Sequence, residues 1–291
     1  MQLLVYFLFR FLVFVVGLCP FWLLYGLSDF AYLLLYKLLG YRKIVVQQNL
    51  KNSFPERTDA ERLALEKAFY HHLFDILVES IKGFSLSKET LLQRQKMLNN
   101  LPQQMIDKHG NVLVVGGHCG NWEWGGINAS AHINGAAVVF YSPIHNRYID
   151  QYIKHSREVQ KTYFWSSPLA PRAFKKYKNE PTMYIMIADQ TPSNPQRAHW
   201  LPFLNQDTAF LRGPGSFAVN YNLPILFVDI KRVKRGYYTM ECEIISEPPT
   251  VLDAKEITAL YAQKLEEKIK EQPASWLWSH KRWKHSRSAP K

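Results

Sequence analysis

Residues 112–125 read VLVVGGHCGNWEWG: four apolar residues run into glycines and a histidine, with an acid five positions after the histidine. An unbroken apolar run of this length marks a strand buried on both faces, as in a parallel sheet covered by helices. Gly116, Gly117 and Gly120 let the backbone turn sharply and approach a ligand. His118 emerges at the strand's carboxyl end, where open α/β sheets place their ligands. Its imidazole titrates near neutrality and suits general-base catalysis. Residues five apart do not share a face of an ideal helix, so His118 has to sit at or before a helix start for Glu123 to reach it. In that arrangement Glu123 is expected to hold one ring nitrogen and favour the imidazolium, which makes His118 and Glu123 the candidate catalytic pair. A structural histidine followed by an unrelated glutamate is the plain alternative.

Further apolar runs at 136–141, 183–188 and 224–230 read as buried strands. After the last come Lys234, Arg235 and Gly236 and an alternation of Tyr238, Met240, Cys242 and Ile244, the pattern of an antiparallel hairpin expected to end the sheet. Apolar spacings of three and four predict amphipathic helices over 58–81 and 254–271. Strands alternating with helices imply an α/β fold with a mixed β-sheet flanked by helices.

The amino terminus has a different composition. Residues 3–39 carry only Arg10, Asp29 and Lys37 as charges, and residues 11–27 carry none. Roughly 20 such residues cross a bilayer, so the expectation is an N-terminal membrane helix, or a bent pair with Pro20 starting the second piece. The first nine residues hold no lysine or arginine and no A-x-A site follows, which argues against a cleaved signal peptide. Lys37, Arg42, Lys43 and Lys51 favour placing the downstream chain on the cytoplasmic side. The expected division is a membrane anchor over 1–40 and one catalytic domain over 41–291, the 47% hydrophobic content being enough for a single large core.

The 36 basic residues against 24 acidic ones give a net charge of +12, suited to anionic lipid, a phosphorylated ligand, nucleic acid or an acidic protein. Nucleic acid is disfavoured, because zinc-finger spacing, an RNA-binding aromatic signature and long single-sign charge blocks are all missing. Three distant cysteines, Cys19, Cys119 and Cys242, suggest neither a disulfide framework nor a thiolate zinc site. Cys119 as a nucleophile and a metal held by His118, Glu123 and Asp189 are both poor readings. Adjacent side chains seldom face each other, and the H-E-x-x-H spacing does not occur. No cofactor and no metal are expected.

His118-Cys-Gly-Asn-Trp-Glu123 resembles the active-site block of the bacterial lipid A biosynthesis acyltransferases, of the lauroyl and myristoyl type, a branch of the lysophospholipid acyltransferase superfamily whose catalytic pair is H-x4-D/E. Tyr141-Ser-Pro143 with Asn146, Asp150 and Arg157 resembles the family's second block, and Ile187-Ala-Asp-Gln-Thr-Pro192 its third. Trp200-Leu-Pro-Phe-Leu204 with 208–214 and Trp276-Leu-Trp-Ser-His-Lys-Arg-Trp-Lys284 resemble the remaining two. The resemblance covers most of 110–285 and implies a glycerol-3-phosphate acyltransferase-like sandwich. It implies substrate-binding roles for Asn121, Arg157, Asp189 and Gln190, acyl carrier protein as donor, and a lipid A precursor as acceptor, at the cytoplasmic side of the inner membrane. Ser142 stands where the family commonly has Arg or Lys, and the Thr-Pro-Ser-Asn loop after Asp189 is closer to a Bacteroidetes-like branch. A glycerophospholipid or aminolipid acceptor, or a catalytically silent lipid-binding protein, are the competing readings.

Overall fold

The strand Asn111–Gly116 (β2) sends Val112 and Val114 to one face and Leu113 and Val115 to the other, and all four are buried. Around it, among the residues described by the computed structural model (1–158, 161–248 and 250–287), a seven-stranded sheet is ordered β1-β9-β8-β2-β5-β3-β4. Its other strands are β1 (Gln95–Met97), β3 (Ala136–Tyr141), β4 (Thr162–Ser166), β5 (Thr182–Ile187), β8 (Ile225–Lys234) and β9 (Tyr237–Ser246). All neighbours are parallel except β8 and β9. The expected hairpin is therefore present but does not end the sheet, because the three-residue β1 pairs with β9 outside it. A separate two-stranded ribbon, β6 (His199–Phe203) with β7 (Gln206–Phe210), lies beyond β5 in the chain.

Helices cover both faces. One layer contains α9 (Ala170–Tyr177), α10 (Gly213–Asn220) and α11 (Ala254–Glu271), whose buried side chains join Leu113, Val115, Tyr184 and Phe227 in the largest core cluster. On the opposite face, α6 (Leu101–His109) supplies Met105 and Ile106 against Val112 and Val114. The 25-residue α4 (Asp59–Gly83) starts on a reciprocal cap, Thr58 with Glu61, worth about 1 kcal/mol.

The amino terminus departs from a single membrane helix. It folds as α1 (Gln2–Leu18) and α2 (Phe21–Ala31), broken at Cys19 and Pro20 because proline cannot continue the first helix's hydrogen bonding. At 1.5 Å per residue α1 is about 26 Å long, short of the roughly 30 Å of a bilayer core. Among the described residues no single helix is long and apolar enough to cross a membrane. The segment Phe21–Leu38 and α3 (Lys43–Ser53) pass such a test only as a pair bent by 86°. Both α1 and α2 pack along α4. Lys82 Nζ donates to the carbonyls of Gly17 and Cys19, and Ser28 Oγ to Asp75 at 2.7 Å. Outward, α1 exposes Leu4, Phe7, Leu8, Phe11, Phe14 and Leu18, and beyond it Trp22, Phe30 and Leu38 are exposed as well.

Candidate active site

Parallel pairing of β2 with β5 sets Gly116 opposite Ile187. His118 and Asp189 each lie two residues past that pair, so both leave the sheet at the same edge. His118 Nδ1 meets Asp189 Oδ1 at 2.5 Å, and the His118 backbone N–H donates to Asp189 Oδ2 at 2.8 Å. Trp276 Nε1 donates to the same oxygen at 2.8 Å. Gly117 leaves room for this approach, since a Cβ there would crowd the Leu265 methyl and stand 3.3 Å from the Asp189 carboxylate. Gly120 has φ of +55° and faces the backbone of Ile230, which explains the third glycine.

Burial disfavours charge on both partners, but the Asp189 charge and its hydrogen bond, with a contribution from Glu123, raise the His118 pKa above its ordinary 6.5. The same contacts hold the Asp189 carboxyl below the ordinary carboxylate range in spite of its burial. The other ring nitrogen, Nε2, points toward Gln190, whose amide nitrogen is 3.2 Å away. Trp122 stands edge-on to the ring at 5.2 Å.

The sequence-predicted site is thus partly rearranged. Glu123 does not supply the hydrogen bond expected at the imidazole. It pairs with Arg157, and Asp189 takes the place at Nδ1. Glu123 lies in the first turn of α7 (Trp122–Ile127), and Arg157 at the end of α8 (Arg147–Arg157), between the rings of Phe84 and Phe164. Asn121 does not face the groove. It is fully buried, accepts from the Trp124 N–H to cap α7, and donates to Glu79 at 2.8 Å. The middle block is scaffold for Arg157. Asn146 caps α8, and Asp150 accepts from the Tyr141 hydroxyl at 3.1 Å and the Ile144 N–H at 2.8 Å.

His118, Glu123, Arg157 and Gln190 line one cavity of about 830 Å³, within the ~300–1,000 Å³ range of small-ligand sites. Its walls are the α6 face of the sheet (Val114, Val139, Ile185, Val228) and α4 (Leu77, Ile81). It is therefore a mainly hydrocarbon-lined groove with ionisable groups beside His118. Cys119 is buried with its thiol pKa pushed well up, which suits packing and not nucleophilic attack. Trp276, Trp278 and Arg282 are buried, so these side chains of the terminal aromatic run cover the core. The residue that sequence reasoning missed is His280. It lines the same cavity and accepts a hydrogen bond from the Thr191 N–H at 3.1 Å. Only the terminal Trp-His-Arg run hinted at it.

A mainly apolar groove bordered by a carboxylate-held imidazole suits transfer of an acyl group. Residues 1–285 match the family model described as bacterial lipid A biosynthesis acyltransferase, and the chain belongs to that family. Membership assigns it a transferase role with a lipid acceptor and an acyl donor. No curated protein matches the chain.

Proposed function

We propose that the protein moves a fatty acyl chain from an acyl carrier protein thioester to a hydroxyl of a lipid A precursor, with His118 as general base. The observation that carries this reading is the His118–Asp189 pair beside a mainly hydrocarbon-lined groove. His118 Nε2 takes the proton from the acceptor hydroxyl as its oxygen attacks the thioester carbonyl, and the Gln190 amide must yield its place beside that nitrogen. Asp189 accepts from Nδ1–H, which fixes the tautomer and balances the imidazolium, while Glu123 adds a second negative charge and holds Arg157. The collapsing intermediate expels a thiolate, which recovers the proton from His118. The reading needs no acyl-enzyme and no metal.

The acidic carrier suits a chain of net charge +12, and Arg157 suits a phosphorylated glycolipid. The exposed apolar side chains of α1 and α2 suit the cytoplasmic leaflet of the inner membrane, lying along it as an interfacial surface. The deciding experiment offers the purified protein acyl carrier and coenzyme A thioesters with a lipid A precursor, a glycerophospholipid or an aminolipid. Mass analysis should find one added acyl chain on the lipid A precursor with the carrier thioester as donor. Acylation of only the other lipids sinks the acceptor assignment.

Two quantitative expectations arise from this site. Because the base must be unprotonated and its pKa is raised, kcat should climb with pH through an inflection above 6.5, and a pH–rate profile checks this. Gly126 lines the groove, and a Cβ there would have its nearest neighbours at 3.9 Å. Gly126→Leu should therefore project into the cavity without disturbing the helix, shifting preference toward shorter acyl chains. Each lost methylene contact is worth about 0.8 kcal/mol, roughly fourfold in kcat/KM, as competition between donors of different length would read.

A further inference from the structure

We infer that His280 is the hydrogen-bond donor to the reacting carbonyl oxygen, a second imidazole beside the one that takes up the proton. This rests on the acyl-transfer reading above and adds to it a second ring on the same cavity.

The assignment begins with three consecutive residues. Asp189 binds Nδ1 of His118, the Gln190 amide stands beside its Nε2, and the backbone N–H of Thr191 donates to Nε2 of His280. One short segment after β5 therefore fixes both rings. Since Nε2 of His280 accepts that hydrogen bond, the ring proton resides on Nδ1. Among the described residues no group accepts from Nδ1, nor is that nitrogen one of the buried unpartnered atoms, although the ring lines the same cavity as His118. An accessible donor tied to no protein acceptor, on a ring that lines the cavity, is what a developing oxyanion needs. Of the other polar groups on this cavity, Arg157 is tied to Glu123, and Gln190 stands at the nitrogen where the acceptor hydroxyl has to enter.

The environment also separates the two histidines. Burial, with Arg282, His118 and Lys284 nearby, holds the His280 pKa down to about 4 although Asp189 pulls the other way. His118, in direct contact with that carboxylate, is shifted up. Two titratable groups driven apart in this way divide the work between accepting a proton and polarising a carbonyl. A neutral donor also avoids a second cation beside the imidazolium, which would lower the basicity of His118.

The ring itself is held by a strap. Asn49 Nδ2 donates to the carbonyls of Trp278 and His280, and Arg42 to that of Ser279. In the transfer step the acceptor oxygen forms a bond to the carbonyl carbon while the carbonyl π pair moves onto oxygen, which accepts from His280 Nδ1–H. The pair returns as the carbon–sulfur bond breaks, and the thiolate leaves with the proton from His118.

The test measures kcat, KM and pH–rate profiles for His280→Ala, His280→Gln and His118→Ala in the full-length protein, with thermal unfolding alongside. His280→Ala should lower kcat about 10²–10³-fold, with KM within about twofold and the acid-limb inflection unmoved, since His118 sets it. His280→Gln, which retains an N–H donor, should recover about tenfold or more of that loss. A His280→Ala protein within about threefold of the parent kcat overturns the assignment, as does a loss confined to KM or one that glutamine does not recover. Should the alanine variant fail to fold, the glutamine variant decides alone: kcat within about a hundredfold of the parent supports the assignment, and a larger loss overturns it. Undiminished activity in His118→Ala would instead strike the general-base reading.

Discussion

Asp189→Asn should lower kcat by about 10²–10⁴-fold while leaving the fold intact, a range typical of removing the carboxylate that orients a catalytic histidine. An amide of the same shape still fills the space under Trp276. It cannot balance the imidazolium, and its NH2 group can donate to Nδ1 and so favour the wrong tautomer. The pH profile gives an independent reading. Losing the charge that raises the His118 pKa should move the inflection down, toward or below 6.5. Glu123→Gln makes the contrast. The Glu123 charge acts on His118 through space and its carboxylate accepts from Arg157, so the kcat of this variant should fall less than that of Asp189→Asn and its KM for the lipid should change more. Equal kcat losses, with the Asp189→Asn inflection unmoved, would mean that Asp189 is not the group steadying the base.

Glu79→Ala should give the largest loss of stability for a residue outside the groove. Glu79 is fully buried on α4 and accepts from three donors on three separate segments: Tyr25 at 2.9 Å, Tyr238 at 2.7 Å and Asn121 at 2.8 Å. Removing it orphans two buried donors, Tyr238 and Asn121, at a cost of about 1–3 kcal/mol each, and frees the half-buried Tyr25. Some relief from repacking leaves a net ~3–5 kcal/mol, a mechanism of large destabilisation. The effect should reach α2 through Tyr25 and the cap of α7 through Asn121, so amide exchange ought to rise at both places. Burial lifts the Glu79 pKa to about 6, the three hydrogen bonds opposing the shift only in part. The folded state therefore binds more protons than the unfolded between about 4.5 and 6, and this group's contribution to stability falls as pH rises through that window. Glu79→Gln should flatten that slope. Thermal unfolding from pH 4 to 7 reads both effects, and an alanine variant as stable as the parent would contradict the buried network.

Much of the architecture was legible because burial on both faces leaves a plain mark in sequence. The runs at 112–115 and 136–141 lie wholly in strands, that at 183–188 does so up to Ile187, and the helix at 254–271 has its observed limits. Strand β4, whose Thr-Tyr-Phe-Trp-Ser mixes polar and aromatic residues, and the three-residue β1 carry no such mark. The place of the β8–β9 hairpin inside the sheet depends on β1, so it could not be read locally. In the site, His118 was apparent from its strand and glycines, but its partner lies 71 residues away. Spacing along the chain pointed to Glu123, whereas adjacency of β2 and β5, a tertiary fact, brings Asp189 to the ring. Asn121 shares the motif with His118 yet turns inward, because the helix following the motif needs a cap and Glu79 needs a donor.

The central claim is that the His118 imidazole takes the proton from the acceptor hydroxyl. Its most direct test is single-turnover transfer from an acyl carrier protein thioester to a lipid A precursor, read by product mass, with parent and His118→Ala proteins compared at saturating substrate. Acylated product from the parent and at least about a thousandfold slower formation from the variant, with unchanged unfolding temperature, is the predicted result, near the upper half of what general-base removal takes away. Product formed at comparable rates by the two proteins would contradict it.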